Sequence, residues 1–383
     1  MEEIRLVREG VIPLHAQLLN QLRHRILSGK WGPGTRMPSE PELQRQLNIS
    51  RSTIRKALSN AEVEGLIKRV PGRGTFVSPT ALNRQGSHLI GYVTDDCHGG
   101  MQSQVLIGVE RTAAAEGFRV IFVNSNGDVD EENRLLDQLA REDRVAGILI
   151  WSALREGPSG RLFHLCHQGA IPVVAVDRTF EGLACDFVTS QNYAGAYAAA
   201  KHLVELGHRQ IVFLSRPILR LTTVAARLRG YQDALRDAGL TPWEPWLVGY
   251  ADQELNMGTI LEDGEDPHNR DVEEITQHLT SAQRPTAIFA VNDFMAIKAM
   301  KAARMLDLGV PGDLSLVGFD DIPLITTLLD VPLTTIAQDA RTIGRRATEL
   351  LVERIHGYSG AAREESLPTE LRVRSSTAPP AAV

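Results

Sequence analysis

The stretch PSEPELQRQLNISRSTIRKALSNAEVEGLIKRVPGRGTFV, residues 38–77, predicts two short helices, a tight turn between them and a two-stranded hairpin. Ser39 with Glu42 three residues later is a capping box, in which each side chain satisfies a backbone N–H group at the start of a helix. Residues 48–50 interrupt this first helix, and Ser50 is placed to cap the second. The pattern therefore predicts a compact unit of paired helices.

The second helix of this stretch has two chemically different faces. Its apolar residues recur at helical spacing: Ile54, Ala57, Leu58 and Ala61. The opposite face carries cations and hydroxyl groups: Arg51, Ser52, Arg55, Lys56 and Ser59. Because arginine reads guanine edges in the major groove and hydroxyl groups bond phosphates, this face is suited to DNA.

The hairpin adds a second basic element. Gly65 can end the helix in the left-handed conformation, and the strands 66–70 and 75–77 then flank the turn Pro71-Gly72-Arg73-Gly74. The glycines allow the backbone to approach DNA closely, and Arg73 adds a cation. A charged helix face is more often simply solvated. Two capped helices followed by a basic hairpin nevertheless favour DNA binding.

Residues 13–77 resemble the winged helix-turn-helix of the GntR family of bacterial regulators, through PSE-x-EL, SR-x-T-x-R-x-AL, EGL and GRGTFV. The resemblance implies that the DNA contacts fall on Arg51, Ser52, Thr53, Arg55, Gly72 and Arg73. Many members have an arginine where this chain has Pro41, so we expect that contact to be absent. Leu14, Leu18, Leu22 and Ile26 predict a preceding helix that ends at Gly29.

The length and the charge of the chain indicate that further domains follow this DNA-binding unit, which we call the head. A chain of 383 residues suits two or three domains. Residues 1–78 hold 13 basic and 7 acidic side chains, a net charge of +6, whereas the remainder holds 28 basic and 40 acidic side chains, a net charge of −12. A basic head on an acidic body binds a polyanion at one end only. We expect a DNA-binding domain over 1–78, a polar linker over 79–87 and an effector-binding and dimerisation domain over 88–383.

Composition narrows the class of protein. The hydrophobic share of 43% is that of a globular protein, and the chain has neither an apolar run of 18 residues nor an apolar leader at its N-terminus. We therefore expect a cytoplasmic protein without membrane partners. Cys97, Cys166 and Cys185 lack metal-ligand spacing, and His164 and His167 beside Cys166 are more often surface residues than ligands. We predict no metal and no cofactor.

From residue 88 onward short apolar runs alternate with helical stretches. The runs are HLIGYV, RVIFV, VAGILIW, PVVAV, QIVFL, TAIFAV and LSLVGF; the helical stretches lie near 103–116, 130–141, 159–168, 192–206, 224–238, 271–281 and 292–306. Such alternation predicts an α/β fold with parallel sheets covered by helices on both faces. Some 290 residues exceed one compact sheet, so two lobes are expected.

Polar residues follow several of these apolar runs. They are Asp95 and Asp96, Asp177 and Arg178, Asn292 and Asp293, and Asp320 and Asp321, with Arg227 in the helix RLRGYQDAL. Ligands of open α/β sheets bind outside the carboxyl ends of the strands. Each residue alone caps a helix about as often as it binds a ligand. Together they would ring a cleft with groups suited to the vicinal hydroxyls of a sugar.

Residues 88–376 resemble the effector domain of the LacI/GalR repressors, which is similar to periplasmic sugar-binding proteins. The resemblance is carried by IGYV, VAGILI, IPVVAVDR, KHLVELGHRQIVFL, R-x-x-GYQDAL, FAVNDFMAIKAM, VPGDLSLVGFDD and PLTTIAQDARTIGRRATELL. It implies that Asp177, Arg227, Asn292 and Asp320 bind the effector. A GntR-type head on such a body is the arrangement of arabinose-responsive repressors, so L-arabinose is the first effector to consider. A purine or another non-sugar effector is the alternative.

An enzyme with a regulatory head is the rival class. The first strand is followed by 94-TDDCHGG-100 instead of G-x-G-x-x-G, and the chain has no P-loop and no Ser or Cys nucleophile motif. An enzyme body that forms a Schiff base would need a suitably placed lysine. Lys201, Lys298 and Lys301 all lie inside helical patterns, which is the wrong context for that role. We therefore predict no catalytic residues and a regulator that binds palindromic double-stranded DNA as a homodimer. The helix that holds Val105, Leu106 and Val109 is our candidate for part of the dimer contact.

Overall fold

A computed structural model of the chain describes residues 6, 13–27, 30–63, 65–70, 73–78, 88–96, 100–142, 145–153, 157–168, 171–179, 182–249, 269–281 and 283–381. Gly29, Gly72, Cys97 and the expected linker 79–87 lie outside these residues. In the described part of the chain no helix is long and apolar enough to cross a membrane.

The head consists of α1 (Leu14–Leu27), α2 (Glu40–Leu47), α3 (Arg51–Val63) and an antiparallel hairpin of β1 (Ile67–Val70) and β2 (Gly74–Val77). The capping box is present, with the backbone N–H of Ser39 donating to Oε2 of Glu42 at 2.7 Å. Asn48 ends α2 at a φ of 49°, and Gly65 follows α3 at a φ of 69°. The apolar face of α3 packs on Leu18, Leu22, Ile26 and Leu43 to form the core of the head.

Lobe one is a parallel sheet of six strands in the order β13-β7-β6-β5-β3-β4. Its strands are β3 (Leu89–Thr94), β4 (Arg119–Asn124), β5 (Gly147–Ile150), β6 (Val173–Val176), β7 (Asp186–Ser190) and β13 (Glu364–Leu367); its helices are α4 (Gly100–Ala115), α5 (Val129–Asp137), α6 (Gly160–Gln168) and α12 (Ala340–Ile355). A π-helical turn, Gln138–Glu142, continues α5. The two sheet faces support separate apolar clusters, one with α4 and α12 and the other with α5 and α6.

Lobe two repeats this architecture with strand order β14-β12-β11-β10-β8-β9, and only β14 runs antiparallel. Its strands are β8 (Ile211–Ser215), β9 (Trp246–Leu247), β10 (Ala287–Ala290), β11 (Ser315–Asp320), β12 (Thr334–Gln338) and β14 (Thr369–Arg372); its helices are α7 (Asn192–Glu205), α8 (Thr222–Asp237), α9 (Asn269–Leu279), α10 (Asp293–Met305) and α11 (Pro323–Thr326). The predicted α/β fold with two lobes is confirmed.

The chain passes between the lobes three times: after Ser190, after Gln338, and between Leu367 and Thr369. The crossings lie side by side, because Ser190 pairs with Leu367 and Gln338 pairs with Thr369. Each lobe is thus built from non-contiguous segments. A seam of three adjacent crossings is a natural hinge between two rigid bodies.

The prediction that α4 offers an apolar face to a second chain was wrong for two of its residues. Val105 and Val109 are fully buried inside lobe one, where α4 packs against α12. The two helices approach so closely that a Cβ on Gly344 would lie 2.2 Å from the carbonyl oxygen of Val105. The apolar spacing of α4 therefore reports a contact within the chain.

Candidate functional sites

The exposed face of α3 begins with a cluster of hydroxyl groups. Oγ of Ser50 accepts a hydrogen bond from the backbone N–H of Thr53 at 3.1 Å and lies 2.8 Å from Oγ of Ser52 and 2.7 Å from Oγ1 of Thr53. A helix N-terminus with exposed hydroxyl groups is a favourable place for a phosphate. The cations Arg51, Arg55 and Lys56 continue the same exposed face.

Glu40 organises the arginines of this surface. Its Oε2 accepts from Nε of Arg55 at 3.1 Å and from Nε of Arg51 at 3.4 Å, and its Oε1 lies 4.0 Å from Nη1 of Arg69. The sequence alone assigns no role to Glu40. Its pairing with Arg51 and Arg55 depends on the turn that places the start of α2 beside α3.

The hairpin lies beside Arg36 as well as Arg73. A Cβ on Gly74, whose φ is 111°, would lie 3.3 Å from Nε of Arg36, so this cation rests against the hairpin backbone. Arg73 is exposed in the turn, and its backbone N–H donates to the carbonyl oxygen of Val70 at 3.0 Å. Gly72 lies outside the described residues.

A cleft that is partly open to solvent lies between the two lobes of the body. Lobe one contributes Asp96, Met101, Gln102, Trp151, Asp177 and Arg178 to its lining. Lobe two contributes Arg216, Ile218, Leu221, Thr223, Val224, Arg227, Val291, Asn292, Phe294, Met295, Asp320 and Ile322. The four residues that the sequence assigned to the effector, Asp177, Arg227, Asn292 and Asp320, all line this cleft.

Asp177 and Arg178 follow β6 on the lobe-one side. Asp177 has a φ of 62°, and its backbone N–H donates to the carbonyl oxygen of Val188 at 2.8 Å. Nη1 of Arg178 donates to Oδ2 of Asp95 at 2.6 Å. Asp95 therefore holds Arg178 in place rather than lining the cleft.

Trp151 is the cleft residue that sequence reasoning missed. It directly follows β5, is 3% exposed, and its ring lies 5.8 Å from the guanidinium carbon of Arg178. Its Nε1 is buried without a hydrogen-bond acceptor among the described residues. An aromatic face with an unused N–H group next to a cation can stack on a ligand and donate to it. The final letter of the run VAGILIW was the available signal.

Arg227, on α8, forms the centre of the lobe-two wall and is 6% exposed. Its Nε donates to Oδ1 of Asn192 at 2.8 Å, and its Nη1 donates to the carbonyl oxygen of Val291 at 2.7 Å. Its guanidinium carbon stacks 3.7 Å above the ring of Phe319. Asn292, beside it, caps α10 by accepting from the backbone N–H of Met295 at 2.9 Å.

Backbone strain concentrates where β11 meets the cleft. Asp320 and Asp321 have φ values of 113° and 55°, which L-residues other than glycine seldom adopt. Asp321 is held by Arg372 at 2.8 Å and Arg374 at 2.6 Å, so it anchors the turn outside the cleft. The strained turn directs Asp320 towards the cavity.

The acidity of the cleft carboxylates is shifted. Burial raises the pKa of Asp320 to about 6, while the charge of Arg227 and a hydrogen bond from Gln338 favour its ionised form. Burial and the charge of Asp320 raise the pKa of Asp293 well above its usual value. Asp293 does not line the cleft: it accepts from the backbone N–H of Ile322 at 2.8 Å and from the hydroxyl of Thr335 at 2.5 Å.

A buried ion cluster stands behind one end of the cleft. Nη2 of Arg216, a lining residue, donates to Oδ2 of Asp271 at 2.8 Å, and Lys298 donates to the same oxygen. Arg216 directly follows β8. It brings a third guanidinium group to the cleft wall, beside those of Arg178 and Arg227.

Comparisons with known proteins match the two parts separately. Residues 14–77 match the family of bacterial regulatory proteins called the gntR family, and residues 200–377 match the periplasmic binding protein-like domain. The "Arabinose metabolism transcriptional repressor" of Geobacillus stearothermophilus is 30% identical to this chain over 357 residues, which cover 92% of this chain and 94% of that protein.

Two further proteins resemble mainly the body. The "HTH-type transcriptional repressor PurR" of Photobacterium profundum is 30% identical over 274 residues, which cover 72% of this chain and 76% of that protein. The crystal structure of a candidate ribose operon repressor from Burkholderia thailandensis superposes with a TM-score of 0.61 at 28% identity, covering 75% of this chain and 99% of the other.

Proposed function

The chain belongs to the bacterial transcriptional repressors that join a gntR-family DNA-binding head to a periplasmic-binding-protein-like body, and we propose that a small polyhydroxylated molecule bound in the cleft releases it from its operator. The proposal assigns DNA binding to 1–78, a linker to 79–87, and effector binding and dimerisation to 88–383. The protein acts in the cytoplasm, where its operator is found.

The observation that carries this proposal is the distribution of hydrogen-bonding groups across the cleft. Asp177 lies on lobe one, whereas Arg227, Asn292 and Asp320 lie on lobe two. A polyol bonded by both sides favours one relative arrangement of the lobes, because a ligand shifts a conformational equilibrium by its differential affinity. Carboxylates and guanidinium groups suit vicinal hydroxyls, and Trp151 offers a surface for the apolar face of a sugar ring.

L-arabinose is the first effector candidate, supported by the name of the relative from Geobacillus stearothermophilus. A purine is the second candidate, and the cleft has a feature that is compatible with it. The buried ring of Trp151 with its unused Nε1 suits a planar base as well as a sugar. Binding without chemical conversion is proposed in both cases.

For the head, we assign base reading to Arg51 and Arg55, phosphate contacts to Ser52 and Thr53, and contact with the DNA backbone or minor groove to Arg73; Gly72 shares the last role through the resemblance. A small head joined to the body through a linker cannot set the spacing of two half-sites alone. We therefore assign the homodimer contact to the body, which holds two heads on a palindromic operator.

The test is a thermal-shift measurement on the full chain with L-arabinose, D-ribose, D-galactose, hypoxanthine and guanine. A ligand that binds only the folded state raises the melting temperature by mass action. At a hundredfold excess over its Kd, the free energy of unfolding rises by about 2.7 kcal/mol. We expect L-arabinose to raise the melting temperature of wild type and to raise that of Asp320→Asn by less at the same concentration. A panel without any stabilising ligand would contradict the proposal.

A further inference from the structure

Gln338 occupies the hinge between the lobes. It is the last residue of β12, after which Asp339 caps α12 by accepting from the backbone N–H of Thr342 at 3.0 Å. The backbone of Gln338 pairs with Thr369, which directly follows the third crossing of the chain. Two of the three crossings therefore meet at this residue.

The side chain of Gln338 touches both lobes through one nitrogen atom. Nε2 donates to Oδ1 of Asp320, in lobe two, at 2.7 Å. The same nitrogen lies 3.1 Å from Sδ of Met101, on α4 of lobe one. Because Asp320 and Met101 both line the cleft, this amide joins the two walls behind the cavity.

The other end of the amide is unsatisfied. Gln338 is 9% exposed, and its Oε1 is buried without a hydrogen-bond donor among the described residues. A buried oxygen without a hydrogen-bond donor destabilises the fold, so the presence of one here points to a function for the side chain. The two contacts of Nε2 determine the orientation of this side chain.

We propose that Gln338 is a positioning residue that couples ligand occupancy at Asp320 to the arrangement of the two lobes. The inference rests on the proposed function, because it requires Asp320 to contact the ligand. A ligand hydroxyl that donates to Asp320 shares the carboxylate with the amide of Gln338. Any shift of that amide changes its contact with Met101, and so the relation of lobe two to lobe one.

The charged groups around Asp320 show what Gln338 contributes. Arg227 faces it from α8 and favours the ionised carboxylate, whereas the charge of Asp177 from lobe one disfavours it. Asp293 on α10 is electrostatically linked to the same carboxylate. Gln338 is a neutral donor that also favours the ionised form. Removing this donor raises the pKa of Asp320 further.

The test compares Gln338→Leu with Gln191→Leu in the full chain. Gln191 lies at another crossing, where its Nε2 donates to the carbonyl oxygen of Ser366 at 3.4 Å, and it is not a lining residue. The first measurement is the Kd for L-arabinose as a function of pH. The second is the factor by which saturating L-arabinose weakens binding to an operator selected from random DNA.

We expect Gln338→Leu to weaken L-arabinose binding by about tenfold at neutral pH, since it removes a hydrogen bond to a charged group. The pH below which binding weakens moves upward, and the operator effect shrinks. Met101→Leu, which removes the sulfur that Nε2 of Gln338 contacts in lobe one, also reduces the operator effect. If Gln338→Leu matches Gln191→Leu in both measurements, the inference is overturned.

A ligand-free measurement separates this inference from the choice of effector. The amide of Gln338 stabilises the ionised carboxylate of Asp320. The decrease in melting temperature that Gln338→Leu causes, relative to wild type, is therefore larger at about pH 7.5 than at about pH 5. Gln191→Leu shows no such dependence. If wild type does not respond to L-arabinose but the effect of Gln338→Leu on the melting temperature depends on pH, L-arabinose is refuted as the effector. The hydrogen bond from Gln338 to Asp320, on which its positioning role depends, is then supported. A pH-independent difference refutes the role of Gln338.

Discussion

Nη2 of Arg227 and Oδ1 of Asp320 lie 3.7 Å apart on the wall of the cleft. This distance is too long for a hydrogen bond, so the two charges attract each other without being joined directly. Arg227 uses Nε and Nη1 on Asn192 and on the carbonyl oxygen of Val291. A ligand hydroxyl beside this pair finds a donor and an acceptor together.

The first prediction concerns the two carboxylates that face each other across the cleft. Asp177→Asn and Asp320→Asn are expected to weaken L-arabinose binding by about 10- to 100-fold each, because a hydrogen bond to a charged group is lost. Operator affinity without ligand stays within about threefold of wild type. Isothermal titration calorimetry and DNA binding on the same preparations check both. Asp330→Asn, at an exposed position, is the control.

Arg227 is less suitable for this comparison, because its removal affects the fold. Arg227→Ala would strip partners from Asn192 and Val291 and leave a cavity above Phe319. We expect a loss of stability of about 2–5 kcal/mol, visible in denaturant unfolding. Unchanged stability in this variant would show that the buried guanidinium serves the ligand alone.

The second prediction is a pH dependence. Burial raises the pKa of Asp320 to about 6, so its ionised fraction falls to about a tenth at one unit below that value. L-arabinose affinity should drop about tenfold between about pH 7.5 and about pH 5, and Asp320→Asn should abolish this drop. Protonating a group whose pKa is raised by folding stabilises the fold as the pH falls. Lost binding therefore cannot be attributed to unfolding caused by Asp320.

The third prediction concerns the exposed face of α3. Arg51→Ala and Arg55→Ala should each cost about 1–3 kcal/mol of operator binding and relax the base preference. Arg73→Ala should weaken specific and non-specific DNA alike and lower the salt dependence. Selection from random DNA followed by anisotropy titrations distinguishes the two outcomes. An unaltered preference in Arg51→Ala would remove this residue from base reading; Arg119→Ala, in the body, is the control.

The fourth prediction concerns Glu40, which binds Arg51 and Arg55 through its Oε2. Glu40→Gln removes a negative charge from the DNA-binding face, so affinity for non-specific DNA should rise. Specific affinity should fall, because the two guanidinium groups lose the partner that orients them. The ratio of the two affinities should drop about tenfold. Equal changes in both would refute an orienting role.

The fifth prediction addresses the dimer. Strand β4 is one of the two outer strands of lobe one, and Phe122 is exposed on it. An exposed aromatic side chain at a sheet edge favours association. The full chain should sediment as a dimer at micromolar concentration, and Phe122→Glu should shift it towards monomer. Val373→Glu, at another exposed apolar position, is the control. A monomeric wild type would contradict the assignment.

Much of the fold follows from local patterns. The capping box at Ser39, the left-handed Gly65 and the apolar faces of α1 and α3 appear where the sequence predicts them. The seven apolar runs from residue 88 onward all contain strands, because β-branched runs of this length suit a sheet buried on both faces.

Other elements left no such signal. The strands β7, β13 and β14 are short and carry polar residues. β13 and β14 form where the chain has returned to a lobe after a crossing, whereas β7 lies just before the first crossing. Periodicity reads only neighbours in sequence, so it could not predict the crossings. The burial of Val105 and Val109 between α4 and α12 was hidden for the same reason, since more than 200 residues separate these helices.

The candidate site was predictable by position but not by role. The polar residues after the strands were the right ones to examine, yet the structure divides them. Asp177 and Asp320 face the cavity, whereas Asp95 holds Arg178 and Asp321 holds Arg372. Long-range partners decide that division. The role of Gln338 could not be predicted from the sequence for the same reason, because it depends on the contacts of this side chain with Asp320 and Met101.

The most direct test of the account is one anisotropy titration of labelled operator with wild type and Asp320→Asn, each with and without saturating L-arabinose. We predict that L-arabinose, at a concentration that just saturates wild type, raises the operator Kd of wild type by about 5- to 150-fold and raises that of Asp320→Asn by a much smaller factor, while both bind operator equally without the sugar. An operator Kd in wild type that does not respond to L-arabinose, or an equal response in Asp320→Asn, would contradict the account.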